Sequence, residues 1–220
     1  MIITLAQTKG GVGKTTLAVN LAIERVLRGK RDVLLVDADD QGTAADFTAL
    51  RAERLNGNTG YTAVQLSGAA VRTQVLAMRS KYDDIVIDAG GRDTAGLRAA
   101  LTISNVALVP FQPRSFDVWT LAKIGQLVSE AQIINPNLQA FAVINCADPQ
   151  GSDNAEAAEA LTENPSIVYL AAPIGRRKAF PNAASQGLSV LEVPHPDSKA
   201  TNEIKLLADK LMAALAVPAD

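Results

Sequence analysis

The chain is poor in several residue types on which common chemistries depend. Its 220 residues include one cysteine, Cys146, one histidine, His195, and one tryptophan, Trp119. A single thiol excludes an intramolecular disulfide framework and points to a reducing compartment. It also leaves too few thiolates for an iron–sulfur cluster, even one bridged across a symmetric dimer. The lone histidine, in Val193-Pro194-His195-Pro196, removes His–His metal sites, argues against a Ser-His-Asp triad and reads as a loop residue. No stretch approaches ~18 uninterrupted apolar residues, so no membrane span is expected. Charge is nearly balanced, with 21 Lys and Arg against 23 Asp and Glu for a net −2. The chain as a whole is therefore not a polycation, and any nucleic-acid binding must come from a local patch. There is no internal repeat or low-complexity run. With 48% hydrophobic and 20% charged residues, residues 1–220 read as one domain large enough for a full core. The first strand begins almost at the N-terminus, which leaves no room for a signal peptide, and a cytoplasmic location is expected.

What is present is concentrated in residues 8–16, Thr-Lys-Gly-Gly-Val-Gly-Lys-Thr-Thr. An apolar run, Ile2 to Ala6, reads as a buried strand before it, and Leu17 to Leu27 carries apolar residues at helical spacing after it. Strand, glycine-rich turn and helix form the context of a phosphate-binding loop. Gly10, Gly11 and Gly13 let the backbone bend toward an anion with N–H groups inward, and the helix adds its positive end. Lys14 can reach the β- and γ-phosphates and the Thr15 hydroxyl can sit on Mg²⁺. The pattern G-x-x-x-x-G-K-[ST] is incomplete, because Thr8 stands at the first glycine and a second lysine, Lys9, follows.

Two further stretches end predicted strands in acids. Asp32 to Asp37 reads as a strand followed by Ala38-Asp39-Asp40-Gln41-Gly42, and Ile85-Val86-Ile87 is followed by Asp88-Ala89-Gly90-Gly91. Carboxylates there lie where open α/β sheets bind ligands, and Asp88 stands at the position of a carboxylate that holds a water on Mg²⁺. Of the first three acids, Asp40 is expected to cap the helix that begins near Thr43. A dinucleotide fold with Asp37 on a ribose is a second reading. It is weakened because the third glycine of its fingerprint would fall on Thr16 and Lys14-Thr15 would have no role.

With its second lysine, the loop resembles that of the ParA/MinD family of P-loop ATPases, in which a deviant loop reads K-G-G-x-G-K-[ST]. The resemblance implies a doubly wound, mainly parallel α/β sheet flanked by helices, a nucleotide (ATP or ADP) with Mg²⁺, and an ATP-sandwich homodimer. It places residues 9–16 (Lys9, Gly10, Gly11, Val12, Gly13, Lys14, Thr15 and Thr16) on the nucleotide and sends Lys9 across to the phosphates of the other subunit. Thr15, Asp37 and Asp88 belong to the Mg²⁺ environment, and Asp39 positions the attacking water. Asn145, ending the predicted strand Ala140 to Asn145, would read the adenine edge, with Pro173 and Ile174 in a loop that closes over the base. Arg176, Arg177 and Lys178 would contribute to non-specific DNA binding by the ATP-bound dimer, which associates with the nucleoid. The family often has proline at Asp40 and D-x-P-P where this chain has Asp88 to Gly91; the Gly90-Gly91 pair is expected to give a more flexible, ATP-sensing turn. Asp117 and Trp119 match a stretch that contributes to the dimer face, although burial of Trp119 on the sheet is the simpler expectation. The chain starts too close to the loop for the N-terminal helix-turn-helix domain of larger ParA proteins.

The remaining elements are a helix over 43–54, a strand over 61–66 and a helix over 68–81. Beyond them come a strand over 105–110, a long helix that starts at Gln112 and runs to about Ile134, an acidic helix over 151–164 and a strand over 166–171. Cys146 is expected to be inert packing. A C-terminal helix over 201–216 carries Ile204, Leu207, Ala208, Leu211 and Leu215 on one stripe, which lacks the basic flanks of a membrane anchor and is expected to pack inward. The function implied by the resemblance is partition of a plasmid or other DNA element, with a small centromere-binding protein stimulating hydrolysis. The alternatives are a membrane-cycling or cargo-positioning ATPase of MinD type and a nucleotide-dependent metabolic ligase or kinase.

Overall fold

The structure, a computed structural model, describes the chain except residues 92, 93, 114, 149, 151, 163, 165 and 217–220, and except the side chains of 115–119. Asp117 and Trp119 thus lie outside what is described. Strands β1 (Ile2–Leu5), β2 (Val33–Ala38), β3 (Thr62–Gln65), β4 (Asp84–Ala89), β5 (Val106–Phe111), β6 (Gln139–Ala147), β7 (Val168–Tyr169) and β8 (Ile174–Gly175) form one parallel sheet. Between and after them run α1 (Lys14–Gly29), α2 (Thr43–Arg54), α3 (Ala70–Met78), α4 (Ala95–Leu101), α5 (Ser115–Ile134), α6 (Asp153–Thr162), α7 (Ala179–Ala184) and α8 (Ser198–Ala216).

The strand order is β3-β2-β4-β1-β5-β6-β7, and β8 continues the β6 edge beyond β7. The chain steps outward from β1 to β2 and β3, then returns to β4 and steps the other way to β7. Right-handed crossovers force the helices to change faces at that reversal. Strand residues alternate accordingly. Ile3, Leu5, Leu35, Val86, Leu108 and Val143 pack with α1, α2, α7 and α8, while Ile2, Leu34, Val36, Ile85 and Ile87 pack beneath α3 and α4. Ala107, Val109, Ala142 and Ile144 continue that second face under α4, α5 and α6. Both faces are covered, so β1, β2, β4 and β5 are buried along their whole length, as continuous apolar strands require. The reversal leaves a crevice at the carboxyl ends beside β1, the usual ligand position in such sheets.

Several boundaries differ from expectation. Helix α1 begins at Lys14 rather than Leu17, because Gly13 turns the chain and the loop's last residues already have helical geometry. The helix expected over 68–81 ends at Met78 and passes into a 3-10 turn, Arg79–Lys81. The strand expected over 166–171 is only β7, because Ala172 N–H bonds back to Leu170 O at 2.7 Å and this tight turn takes the chain off the sheet edge. Helix α8 packs Ile204, Leu207, Ala208 and Leu211 into the core with Leu215 partly buried against it, as its stripe predicts. Among the described residues no helix is long and apolar enough to cross a membrane.

At the amino ends of the strands, opposite the crevice, Asp84 is 1% exposed and accepts from Arg25 Nε at 2.8 Å. The Met1 amino group, at 3.6 Å, and Arg31 Nε, at 3.7 Å, stand on the same carboxylate.

Candidate functional site

Register brings the acids to the loop. Leu5 of β1 pairs with Asp88 of β4, and Asp88 pairs with Asp37 of β2, so two carboxylates stand side by side next to the strand that feeds the glycine turn. Gly11 and Gly13 have φ of +75° and +91°. Gly13 is required twice, since a Cβ there would also lie 2.1 Å from Asn145 Nδ2. It is the N-cap of α1, makes no side-chain cap bond, and no acid lies in the first turn. The amides at this end therefore keep an uncompensated positive pole suited to an anion.

Lys14 is 6% exposed and donates from Nζ to the Lys9 carbonyl at 3.2 Å. Burial pushes its ammonium below the ordinary lysine value, against the smaller pull of Asp88 and Asp39. Thr15 Oγ1 donates to Asp88 Oδ2 at 2.6 Å. The other oxygen of Asp88 is buried and has no hydrogen-bond partner. Burial pushes the Asp88 carboxyl up to about 7, with the Thr15 bond opposing. An orphaned carboxylate oxygen beside a threonine hydroxyl fits a hydrated Mg²⁺, which takes one or two protein oxygens and keeps waters or phosphate for the rest.

Asp37, 3% exposed, accepts from Asp39 N–H at 3.1 Å and from Ala45 N–H at 2.8 Å. Its carboxylate, not that of Asp40, caps α2: Asp40 is exposed, and the left-handed turn at Gly42 (φ 67°) carries the α2 amides over the end of β2. Burial raises the Asp37 carboxyl above its ordinary value and the amide bonds offset part of this. Asp39 accepts from Gln41 N–H at 3.0 Å and stands beside Gly90, whose Cβ position is 3.6 Å from its carboxyl. Gly91 closes on the loop, its Cβ position 3.0 Å from Gly10 Cα and 3.3 Å from Lys14 Nζ. Lys9 is half-buried at the rim, next to exposed Gly10 and Gly11.

Of the other sequence-predicted residues, Asn145 packs on the loop and the rest stand farther out. Asn145 donates to the Val12 carbonyl at 2.7 Å, aimed there by a bulge at Cys146 with φ 54°. Ile174 has its side chain in the core, so only its backbone faces outward, whereas Pro173 lines a cavity of about 230 Å³ with Asp148, Asn154 and Arg176. Arg177 forms a two-pronged pair with Glu203, Arg176 Nε lies 3.5 Å from Asp148, and Lys178 is exposed. Sequence reasoning passed over the amides that support the loop. Gln7 accepts from Thr8 N–H at 2.8 Å and donates to Pro110 O at 3.3 Å, Gln112 donates to Gly11 O at 3.1 Å, and Asn20 donates to Thr16 O at 2.7 Å. The available signal was their placement, since Gln7 lies two residues after β1 and Gln112 follows directly on β5, beside the turn.

A family model described as the CobQ/CobB/MinD/ParA nucleotide binding domain matches residues 3–190. The chain is 26% identical over 212 residues to the maintenance of carboxysome distribution protein A of Halothiobacillus neapolitanus, spanning 96% of this chain and 95% of that one. It is 31% identical over 169 residues to the chromosome-partitioning ATPase Soj of Thermus thermophilus, covering 64% of this chain and 67% of that one. The cell division ATPase MinD of Pyrococcus furiosus superposes with a TM-score of 0.77 at 20% identity, over 97% and 98% of the two chains. Loop, strand-end acids, sheet order and family match agree: the chain belongs to the ParA/MinD family of P-loop ATPases, which work with ATP and Mg²⁺.

Proposed function

We propose that this ATPase, a single domain, closes as a dimer around two ATP molecules, binds DNA without sequence preference in that state, and drives partition of a plasmid or other DNA element. The observation that carries the reading is the second lysine. The cradle already has its cation in Lys14, which is turned inward, while Lys9 stands at the open rim beside two exposed glycines. A cation there serves a phosphate approached from outside, which is what a second subunit brings.

Within one subunit, the α1 amides and Lys14 bind the phosphates and neutralise their charge. Thr15 and Asp88 would hold Mg²⁺, with Asp37 adjacent, and the ion when bound offsets charge on the β- and γ-phosphates. Asp39 orients water, and the Gly91 backbone, packed on Gly10, moves as the γ-phosphate enters. Asn145 and the backbone at 173–174 meet the adenine. The DNA surface is assigned to Arg176, Arg177 and Lys178, where the pairs with Asp148 and Glu203 reduce net charge. Contact is accordingly weak per subunit and depends on pairing two subunits. A small partner protein stimulates hydrolysis, and the dimer is nucleoid-associated in a cytoplasmic setting.

A second reading concerns the cargo. The near full-length match to a carboxysome-distribution protein supports a protein assembly as the object positioned, with the same dimer and the same DNA track. Co-sedimentation tests the shared core. ATP is expected to bring the wild type down with arbitrary duplex DNA, with ADP or Lys14→Ala abolishing it and higher salt weakening it steeply. Binding to anionic vesicles and not to DNA would overturn the proposal in favour of membrane cycling.

A further inference from the structure

We propose that Gln112 is a positioning residue of the nucleotide site, holding the Gly11 carbonyl outward so that the next amide faces the phosphates. The inference rests on the glycine turn being that site, and the carbonyls of the turn carry it. Lys9 O accepts from Lys14 Nζ at 3.2 Å, Gly11 O from Gln112 Nε2 at 3.1 Å, Val12 O from Asn145 Nδ2 at 2.7 Å, and Gly13 O from Leu17 N–H at 3.0 Å. In a trans peptide the carbonyl and the following N–H point in opposite directions, and the chain has no cis peptide among its described residues. Holding Gly11 O and Val12 O outward therefore aims the Val12 and Gly13 N–H groups inward.

The two amides act under different conditions. Asn145 is 4% exposed and packs so closely on Gly13 that no Cβ fits there, so packing already fixes that peptide. Around Gly11 nothing lies within 4 Å of a Cβ position, and the residue is exposed with φ +75°. A glycine peptide without packing turns over readily, and the side-chain bond from Gln112 selects one orientation. Gln112 follows directly on β5, the strand paired with β1, so a rigid element sets its reach. The β5–α5 connection thereby pre-organises the cradle before any nucleotide arrives, which spares binding the work of ordering it.

The test compares wild type with Gln112→Met, which keeps length and loses the donor, and Gln112→Glu, which offers only an acceptor. Pyrophosphate, ADP and a non-hydrolysed ATP analogue are titrated by calorimetry, and steady-state ATPase activity and nucleotide-free melting are measured. Gln112→Met is expected to weaken all three ligands by a similar factor, roughly three- to tenfold, as for one net hydrogen bond. KM rises by that factor while kcat and the melting temperature stay at wild-type values, and Gln112→Glu weakens binding further through repulsion. Wild-type affinity in Gln112→Met, or a fall in kcat at unchanged KM, would overturn the role of Gln112 alone. A wild type that binds none of the three ligands would overturn the nucleotide site and this inference with it.

Discussion

Asp88 is placed where binding and stability make opposite demands. Its carboxyl is 1% exposed, one oxygen lacks a partner, and burial lifts it from 3.8 to about 7. A group raised in the folded state contributes stability below its unfolded value, and that contribution is lost as pH rises through the folded value. The shift corresponds to about 4 kcal/mol at pH 8, and burying an asparagine amide in its place returns part of that cost. Asp88→Asn is therefore expected to raise the melting temperature of the nucleotide-free protein in chelator at pH 8 by roughly 5 °C, with no gain at pH 4. The same variant should lower ATP turnover by on the order of 100-fold or more, and paired melting and ATPase assays check both. At this scale the gathering of Lys14, Thr15 and Asp88 about one turn was legible because their types are tied to fixed spacing. The cap on α2 was not, because whether Asp37 or Asp40 reaches the helix amides depends on the turn at Gly42, which spacing does not encode.

Elements with long apolar runs or full helical stripes were legible nearly to the residue, α2 over 43–54 and the core face of α8 among them. The misses are short and set by tertiary contact. Helix α7 has six residues with Pro181 in its first turn and leaves little periodic signal. β7 is an edge strand held at only two positions, Phe141–Val168 and Ala142–Tyr169. Gln112 was visible only as the start of a helix, since its contact with Gly11 spans 101 residues. The Arg25–Asp84 pair, which ties α1 to the start of β4, was equally hidden. Removing Arg25 leaves the buried Asp84 carboxylate with only the longer contacts to the Met1 amino group and Arg31, so Arg25→Ala is expected to destabilise the fold by less than the about 3–5 kcal/mol of a fully uncompensated buried charge. Chemical denaturation checks this, and an Arg25→Met, Asp84→Leu double variant should be less destabilised than Arg25→Ala.

For the whole molecule, one face gathers the open rim of the nucleotide site. The exposed rim of Gly10 and Gly11, the half-buried Lys9, the Asp39–Gln41 turn and Gly91 all lie around the carboxyl ends of β1, β2 and β4. The doubly wound parallel sheet that gathers them followed from alternating strands and helices, whereas pairing with a second copy is inferred from chemistry at the rim. Sedimentation of the protein with saturating Mg²⁺ and a non-hydrolysed ATP analogue is the most direct test, with nucleotide occupancy measured on the same samples. The expected result is a doubled mass for wild type and a nucleotide-loaded monomer for Lys9→Ala. A wild type that stays monomeric while loaded, or a Lys9→Ala variant that pairs and hydrolyses ATP at the wild-type rate, would contradict it.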